Sequence, residues 1–288
     1  MDKKELLKNY KEKELASEIK IQEKNMESYL DENKVHFIRC DGRHFKTFTK
    51  GFKKPFDDIF RNTMTKTMIA LCEEIGGNAI GFTQSDEITV MFKKEKPESE
   101  LIFSGRVQKI SSSMAASCTL YFNKFLIEEI NLAKNKLIDE YQQDCILPIS
   151  EINDNVEKEF EIYNSKILKA TFDCRLFSMA PEDAKKVFIW RILDCQKNAI
   201  QMISRCYFSN KELHSKNTLD MKNMLLSKNI DIDNIANKYI YGVVAIKEEK
   251  VLYVGTDKEC IRNKYVTKDS LDIIFNEMYD YLYVPNNK

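Results

Sequence analysis

The sequence predicts an α+β fold, an antiparallel sheet with helices on one face plus helical additions, and three observations carry that prediction. Between residues 34 and 177, short apolar runs of strand character and longer runs of helical period follow one another as β-α-β-β-α-β. The composition, 43% hydrophobic and 31% charged over 288 residues, is enough for one large core. Neither GxxxxGK[ST] nor GxGxxG occurs among only eight glycines, which removes the P-loop and dinucleotide-binding sheets from consideration.

Residues 5–30 are polar and helix-prone, and predict one or two surface helices. "KVHFIRCD" (34–41) reads as the first strand and is followed by a basic turn, "GRHFKTFTKGFKKP". Asp57 is placed to cap a helix that puts Phe60, Met64, Met68, Leu71 and Ile75 on one face, and "GGN" (76–78) stops it. "AIGFTQ" and "ITVMF" read as strands joined by a tight turn, "SDE". A second long helix begins near Gly105, with Ile110, Met114, Cys118, Tyr121 and Phe125 along its stripe. Residues 131–168 are charged and Asn-rich, an insertion with some helix. "ATFDCRLF" (170–177) is the fourth strand. Pro181 opens a helix to about Cys206, 217–228 is helical, "YIYGVVAI" and "KVLYVG" predict a hairpin, and a last helix covers about 269–282.

This order is the ferredoxin-like, or split βαβ, arrangement. There the first and third strands are antiparallel neighbours, so the end of one lies beside the start of the other. Asp41 ends the first strand, and Asp86 and Glu87 open the third. Residues far apart in sequence therefore converge at one sheet end. The domain reading follows: a helical extension over 1–33, the sheet domain over 34–180 with 131–168 as an insertion, and a helical and hairpin part, 181–288, packed on it.

Other features exclude function classes. Eight cysteines without a CxxC pair read as reduced core thiols, and three histidines with none near a cysteine pair exclude a zinc site. No apolar run is long enough to span a bilayer, and the charged N-terminus lacks a signal core. The expectation is a cytoplasmic protein, a mitochondrial location being left open. Net charge is zero, so a nucleic-acid partner needs a local basic surface.

Converging carboxylates suit hard divalent cations such as Mg²⁺, which are held by one or two acids together with substrate phosphates. Two such ions, roughly 3.5–4 Å apart, clamp the attacking and leaving oxygens in nucleotidyl transfer. Cations for a triphosphate lie nearby in sequence: Arg43, Lys46, Lys50, Lys53 and Lys54, then Arg106 and Lys109. The backbone of "DGRHFK" supplies further donors. Taken singly, Asp41-Gly42 is a turn, "SDE" a hairpin tip, "KGFKKP" a solvated loop, His44 a locally bonded side chain, and Phe45 and Phe48 core rings. His36 and His214 have no evident partner. Brought together by the fold, the acids and cations read as a site.

"FIRCDGRHFKTFTKGFKKPFD", "GFTQSDEITVMF", "FSGRVQKISSSMAAS", "FDCRLF" and "WRILDCQKNAI" stand in the order seen in the tRNA-His guanylyltransferase superfamily. The chain resembles that superfamily over roughly residues 5–130 and 170–228. The resemblance implies a polymerase-palm sheet that extends RNA in the 3′→5′ direction at the 5′ end of tRNA. It implies metal binding by Asp41 and Asp86 with the Gly42 carbonyl, and a nucleotide cradle of Asp41, Gly42, Arg43, His44, Phe45 and Lys46 with Ser85 and Asp86. It also carries nucleotide contacts onto Lys54, Arg106, Lys109 and Asn198. Glu87 matches a family acid, catalytic or supporting. ATP and other NTPs are implied as substrates, two Mg²⁺ as cofactors and a homotetramer, a dimer of dimers, as the assembly.

Departures from the family pattern refine the expectation. Where the guanylyltransferases carry a HINNLYNT-type motif, this chain reads "QKNAIQMI": Gln196 stands at the histidine, and only Asn198 is kept. Lys46 also replaces a histidine. The chain therefore resembles the guanylyltransferase-like branch, which repairs 5′-truncated tRNA against the opposite acceptor strand. The implied chemistry is ATP-dependent 5′-adenylylation, then attack by the 3′-hydroxyl of the incoming NTP with loss of AMP. Addition of G to tRNA-His is the alternative. A palm-type nucleotidyl cyclase would carry GG[DE]EF where this chain reads "QSDEI", and a non-catalytic RNA-binding module would have no use for both acids. Lys185, Lys186, Arg191 and Lys197 on one late helix are candidates for a tRNA surface.

Overall fold

A computed structural model of the chain describes residues 10–96, 98–144, 149–254 and 258–278. The helix α1 (Glu12–Asn25) buries no side chain, so its attachment is made just after it. Val107 and Leu30 N–H groups donate to the carbonyls of Ser28 and Gly105, both at 2.9 Å. The chain then enters β1 (Val35–Gly42), a short helix α2 (Phe45–Phe48) and α3 (Asp58–Ile75). Asp57 caps α3 by accepting the Phe60 N–H at 2.8 Å, and Gly76, at φ 76°, ends it. The hairpin β2 (Ile80–Gln84) and β3 (Glu87–Phe92) follows, then α4 (Val107–Asp144), β4 (Phe172–Met179) and α7 (Ala184–Tyr207). Between α4 and β4 lie α5 (Ile149–Glu159) and α6 (Glu161–Asn164). After α7 come α8 (Thr218–Leu226), β5 (Val243–Val254) and β6 (Lys258–Asp269).

The sheet is antiparallel in the order β4-β1-β3-β2-β5-β6. Its first four strands are the split βαβ order, and the last hairpin extends it beyond β2. On one face α3 and α4 bury Ile38, Cys40, Ile88 and Val90 against Met64, Met68, Leu71, Met114 and Phe122. On the other, α7 and the turn at Ile273–Ile274 cover Phe37, Phe82, Met91 and Val244, with Phe188 at the centre. The sheet is thus covered on both faces, the C-terminal helix supplying the second layer. A smaller core joins α7 to α8 through Ile200, Ile203 and Leu225.

Three details differ from the sequence reading. The stripe of α4 leaves Tyr121 and Phe125, which stack on each other at its flank, and continues through Phe122, Leu126 and Ile130. The reason is a change of packing partner: past the sheet, α4 runs on into the insertion and meets Ile152 and Val156 of the returning α5. Next, the two late apolar runs belong to one strand, β5, whose partner is β6, with Val243 opposite Asp269 and Val254 opposite Lys258. Only Val243–Ala245 of β5 pair with β2, so the hairpin projects past the sheet and "KEE" can sit in the ladder without entering a core. Finally, the last helix is described only as a turn, Ser270–Asp272, continued by a wider π turn, Ile273–Glu277. The remainder of the expected helix lies outside the described residues.

The insertion is fastened to the rest by a hydroxyl. Tyr163 on α6 donates to the Asp57 carboxylate at 2.5 Å, and the Lys53 N–H donates to the same carboxylate at 2.9 Å. Burial, reinforced by that acid, raises the tyrosine's pKa well above its ordinary value.

His36 is fully buried beside Phe92, with Nδ1 2.9 Å from the Ser178 hydroxyl. Burial lowers its pKa from 6.5 to about 4. The unfolded chain therefore binds a proton over that interval that the folded chain does not, and the contribution of His36 to stability is complete above pH 6.5 and lost as pH falls to about 4. Urea unfolding across that window should show a component of about 2–3 kcal/mol that disappears in His36→Gln.

Candidate active site

Asp41 lies directly opposite Glu87 in the β1–β3 ladder and opposite Asp173 in the β1–β4 ladder. The Gly42 N–H donates to the Asp86 carbonyl at 3.0 Å, so the two segments that carry the acids are bonded to each other. Strand alternation puts Glu87, Asp41 and Asp173 in one row on the α7 side of the sheet end. The next row inward is Thr89, Arg39 and Arg175, also in register. Acids and guanidiniums interlock: Arg175 lies 3.9 Å from Asp41 and 3.7 Å from Asp173, and Arg39 lies 3.8 Å from Glu87.

The three sequence acids have different surroundings. Asp41 is 38% exposed at the side chain. Asp86 is half-buried at the turn, its carboxylate accepting the Ser85 hydroxyl at 3.0 Å. Ser85 itself sits at φ 49°. Burial and the charge of Asp41 together raise the pKa of Asp86. Glu87 is buried and ion-paired to Arg191 of α7 at 2.7 Å. Burial raises its pKa, while Arg191 and then Arg39 oppose the shift.

The turn after β1 is shaped by one close approach. A Cβ on Gly42 would fall 2.3–2.7 Å from the ring of Phe45, so only glycine lets that ring fold back beneath the strand end. The Arg43 N–H donates to the Thr171 carbonyl at 2.9 Å, and His44 takes the left-handed conformation, φ 59°. Phe45 is a core ring packed on Phe48, Phe122 and Phe172, so its backbone, and not its side chain, is what the turn can offer a ligand. Arg43, His44 and Lys46 are exposed around it. Beside Arg43 an open cavity of about 530 Å³ is lined by Gln108, Ser111 and Ser112 of α4 and by Asp173.

The remaining sequence candidates are spread around this centre. Lys54 is exposed in the loop that Asp57 anchors. Arg106 pairs with Glu27 at 3.3 Å, and Lys109 stands 4.8 Å over the Phe103 ring, both at the start of α4. Asn198 donates to Asp194 at 3.1 Å, and Asp194 accepts Arg191 at 2.7 Å. Asn198 thus ends a chain, Glu87–Arg191–Asp194–Asn198, that runs from the sheet onto α7. Arg191 is accordingly a buried structural cation and not part of an RNA surface; Lys185 stands over Phe275, Lys186 pairs with Asp183, and Lys197 is exposed. Sequence reasoning missed Asp173, Arg175, Arg39 and Trp190. The alternation of "FDCRLF" holds the signal for Asp173 and Arg175, but it becomes readable only once the β1–β4 register is known.

Removing Arg191 strands a buried carboxylate. Arg191→Met should cost about 3–5 kcal/mol in urea unfolding, and adding Glu87→Gln should recover most of the loss. Equal destabilisation in the single and double variants would mean that the pair does not couple.

The model of the tRNAHis guanylyltransferase family, Thg1, matches residues 17–180, more than half of the chain. A mimivirus protein of Acanthamoeba polyphaga mimivirus, R259, is 28% identical over 83% of this chain and 78% of its own length. A probable tRNA(His) guanylyltransferase of Dictyostelium discoideum is 27% identical over 73% of this chain and 74% of its own. Among solved structures, a bacterial tRNA(His) guanylyltransferase (Thg1)-like protein in complex with ATP superposes with a TM-score of 0.72 at 27% identity, covering 93% of this chain and 96% of that one. The palm sheet, with Asp41 and Asp86 meeting at its end, therefore belongs to a member of the tRNAHis guanylyltransferase family, and the chain is a nucleotidyltransferase.

Proposed function

We propose that this enzyme adds nucleotides in the 3′→5′ direction to the 5′ end of truncated tRNA, each chosen by pairing with the opposite acceptor strand. The observation that carries the chemistry is the bonded meeting of the Asp41 and Asp86 segments through Gly42 N–H and Asp86 C=O. The templated reading is supported by Gln196 at the position of the family's histidine and by the close overlap with a bacterial Thg1-like protein bound to ATP.

The residues fit a divalent cation. Asp86 is a half-buried carboxylate whose charge is disfavoured by burial and by Asp41, a tension that a divalent cation held by the two acids would relieve. The donors are hard oxygens: two carboxylates and the Gly42 carbonyl. Among the described residues no group of three or more His, Cys, Asp or Glu forms a ready-made cage, as expected of an ion that shares its coordination with substrate phosphates. When bound, Mg²⁺ would lower the pKa of the attacking group and neutralise charge on the leaving group.

The protein's own contribution is positioning. Arg43 and Lys46, with the backbone of 42–46, receive the triphosphate, and exposed Lys54 extends that cationic side. In the first stage an oxygen of the RNA 5′-phosphate attacks the α-phosphorus of ATP; pyrophosphate leaves and the 5′ end carries AMP. In the second, the 3′-hydroxyl of an NTP attacks the phosphorus at that end; a phosphodiester forms and AMP leaves. Glu87, held by two arginines, supports α7 beneath the site instead of meeting substrate.

Asp41→Ala and Asp86→Ala should each abolish both stages while leaving the unfolding midpoint within the range of a surface change; near-normal turnover in either would refute the assignment. Because Asp86 holds its proton more tightly than an ordinary carboxylate, Mg²⁺ affinity measured by calorimetry should rise with pH through and above the usual aspartate range. A labelled 5′-monophosphorylated tRNA lacking its first nucleotide, given Mg²⁺, ATP and each NTP in turn, tests the templated reading. Addition of only the complementary nucleotide supports it, whereas G added to every template returns the enzyme to tRNA-His guanylylation.

A further inference from the structure

The transfer proposed above needs two substrates at one pair of acids, and the two sides of that sheet end are built differently. The α4 side carries Arg43 and the cavity lined by Ser111 and Ser112. On the α7 side stands Trp190, the one tryptophan of the chain, 51% exposed. The guanidinium carbons of Arg191 and Arg39 lie 4.3 and 5.4 Å from its ring centroid. Both arginines are ion-paired with Glu87, at 2.7 and 3.8 Å, and Glu87 is the cross-strand partner of Asp41. A large indole held by two fixed cations, with half its surface open, is a rigid platform and not a core residue. Arg175, also exposed, lies opposite Arg39 in the β1–β4 ladder and 3.9 Å from Asp41, so a further guanidinium stands in the row behind the acids.

We infer that Trp190 is a positioning residue for RNA: the terminal base of the acceptor stem stacks on its indole while Arg175 meets the adjoining phosphate. This rests on the function proposed above. The chemistry favours RNA over a second protein surface, because aromatic faces flanked by guanidiniums bind unstacked bases and backbone phosphates. It favours the RNA end over the NTP, because the turn proposed for the triphosphate opens beside a cavity lined by α4 and the edge strand β4, whereas Trp190 stands on α7.

Trp190 supplies its own reporter. Titrating the full-length protein with a 5′-monophosphorylated acceptor-stem hairpin should quench the tryptophan emission to saturation, and NTP alone should not. In steady-state extension, Trp190→Ala should raise KM for the hairpin roughly tenfold or more, leaving KM for NTP near that of the parent. Trp190→Phe should restore most of the RNA affinity. Unchanged emission while the hairpin is bound in a gel shift would overturn the inference, as would an unchanged KM in Trp190→Ala. Emission that varies with protein concentration without RNA, together with a changed sedimentation coefficient in Trp190→Ala, would overturn it in favour of a contact between copies. Quenching without extension would sink the proposed reaction and leave the platform standing; templated extension without quenching would do the reverse.

Discussion

The Arg191–Glu87 pair, 2.7 Å long and buried at the end of the sheet, is the contact on which the site depends. It is the point where the second helical layer is fixed to the strand that follows Asp86. A lone carboxylate in that position would be driven to protonate, and the guanidinium would have no reason to sit beneath Trp190. With both present, each charge offsets the other, and Arg39 and Asp194 complete the charge balance on either side. The net effect on stability of such a pair is small, but the loss on breaking it is large, so its value lies in fixing one arrangement. The arrangement it fixes is a row of acids with Arg39 and Arg175 two residues behind.

That lattice explains how an apolar strand tolerates so many charges at one end. Alternation along β1 sends Phe37 into the α7 core and Ile38 and Cys40 into the α3–α4 core, leaving Arg39 and Asp41 on the α7 side where that core runs out. The catalytic end is therefore the unfilled margin of the second layer. Asp41 remains accessible there, 38% exposed at the side chain, and it remains in place because the ladders on both sides hold its backbone.

Much of this was legible in the residues themselves. The capping role of Asp57, the stop at Gly76 and the β-α-β-β-α-β order follow from local chemistry, and the split βαβ topology then brings Asp41 to Asp86 without further information. The sequence is silent where the answer depends on register or on a distant partner. Asp173 belongs beside Asp41 only because β4 pairs with β1 at that offset, and "KEE" continues a strand only because β6 accompanies it past the sheet edge. Arg191 looked like a surface cation because α7 is amphipathic and charged; its burial is decided by Glu87, more than a hundred residues earlier.

The carboxylate of Asp57 serves three donors at once: the Phe60 N–H, the Lys53 N–H and the Tyr163 hydroxyl. The first belongs to a core helix, the second to the loop that carries Lys54, and the third to the insertion. An element that reads in the sequence as a charged, Asn-rich insertion is thus wired into the same atom pair that starts a scaffold helix. Its loss would also uncover Leu126, Ile130 and their neighbours. For anyone minimising or recombining this enzyme, the arm is not a module that can be trimmed: it and the basic loop would have to be inherited, exchanged or redesigned as one unit.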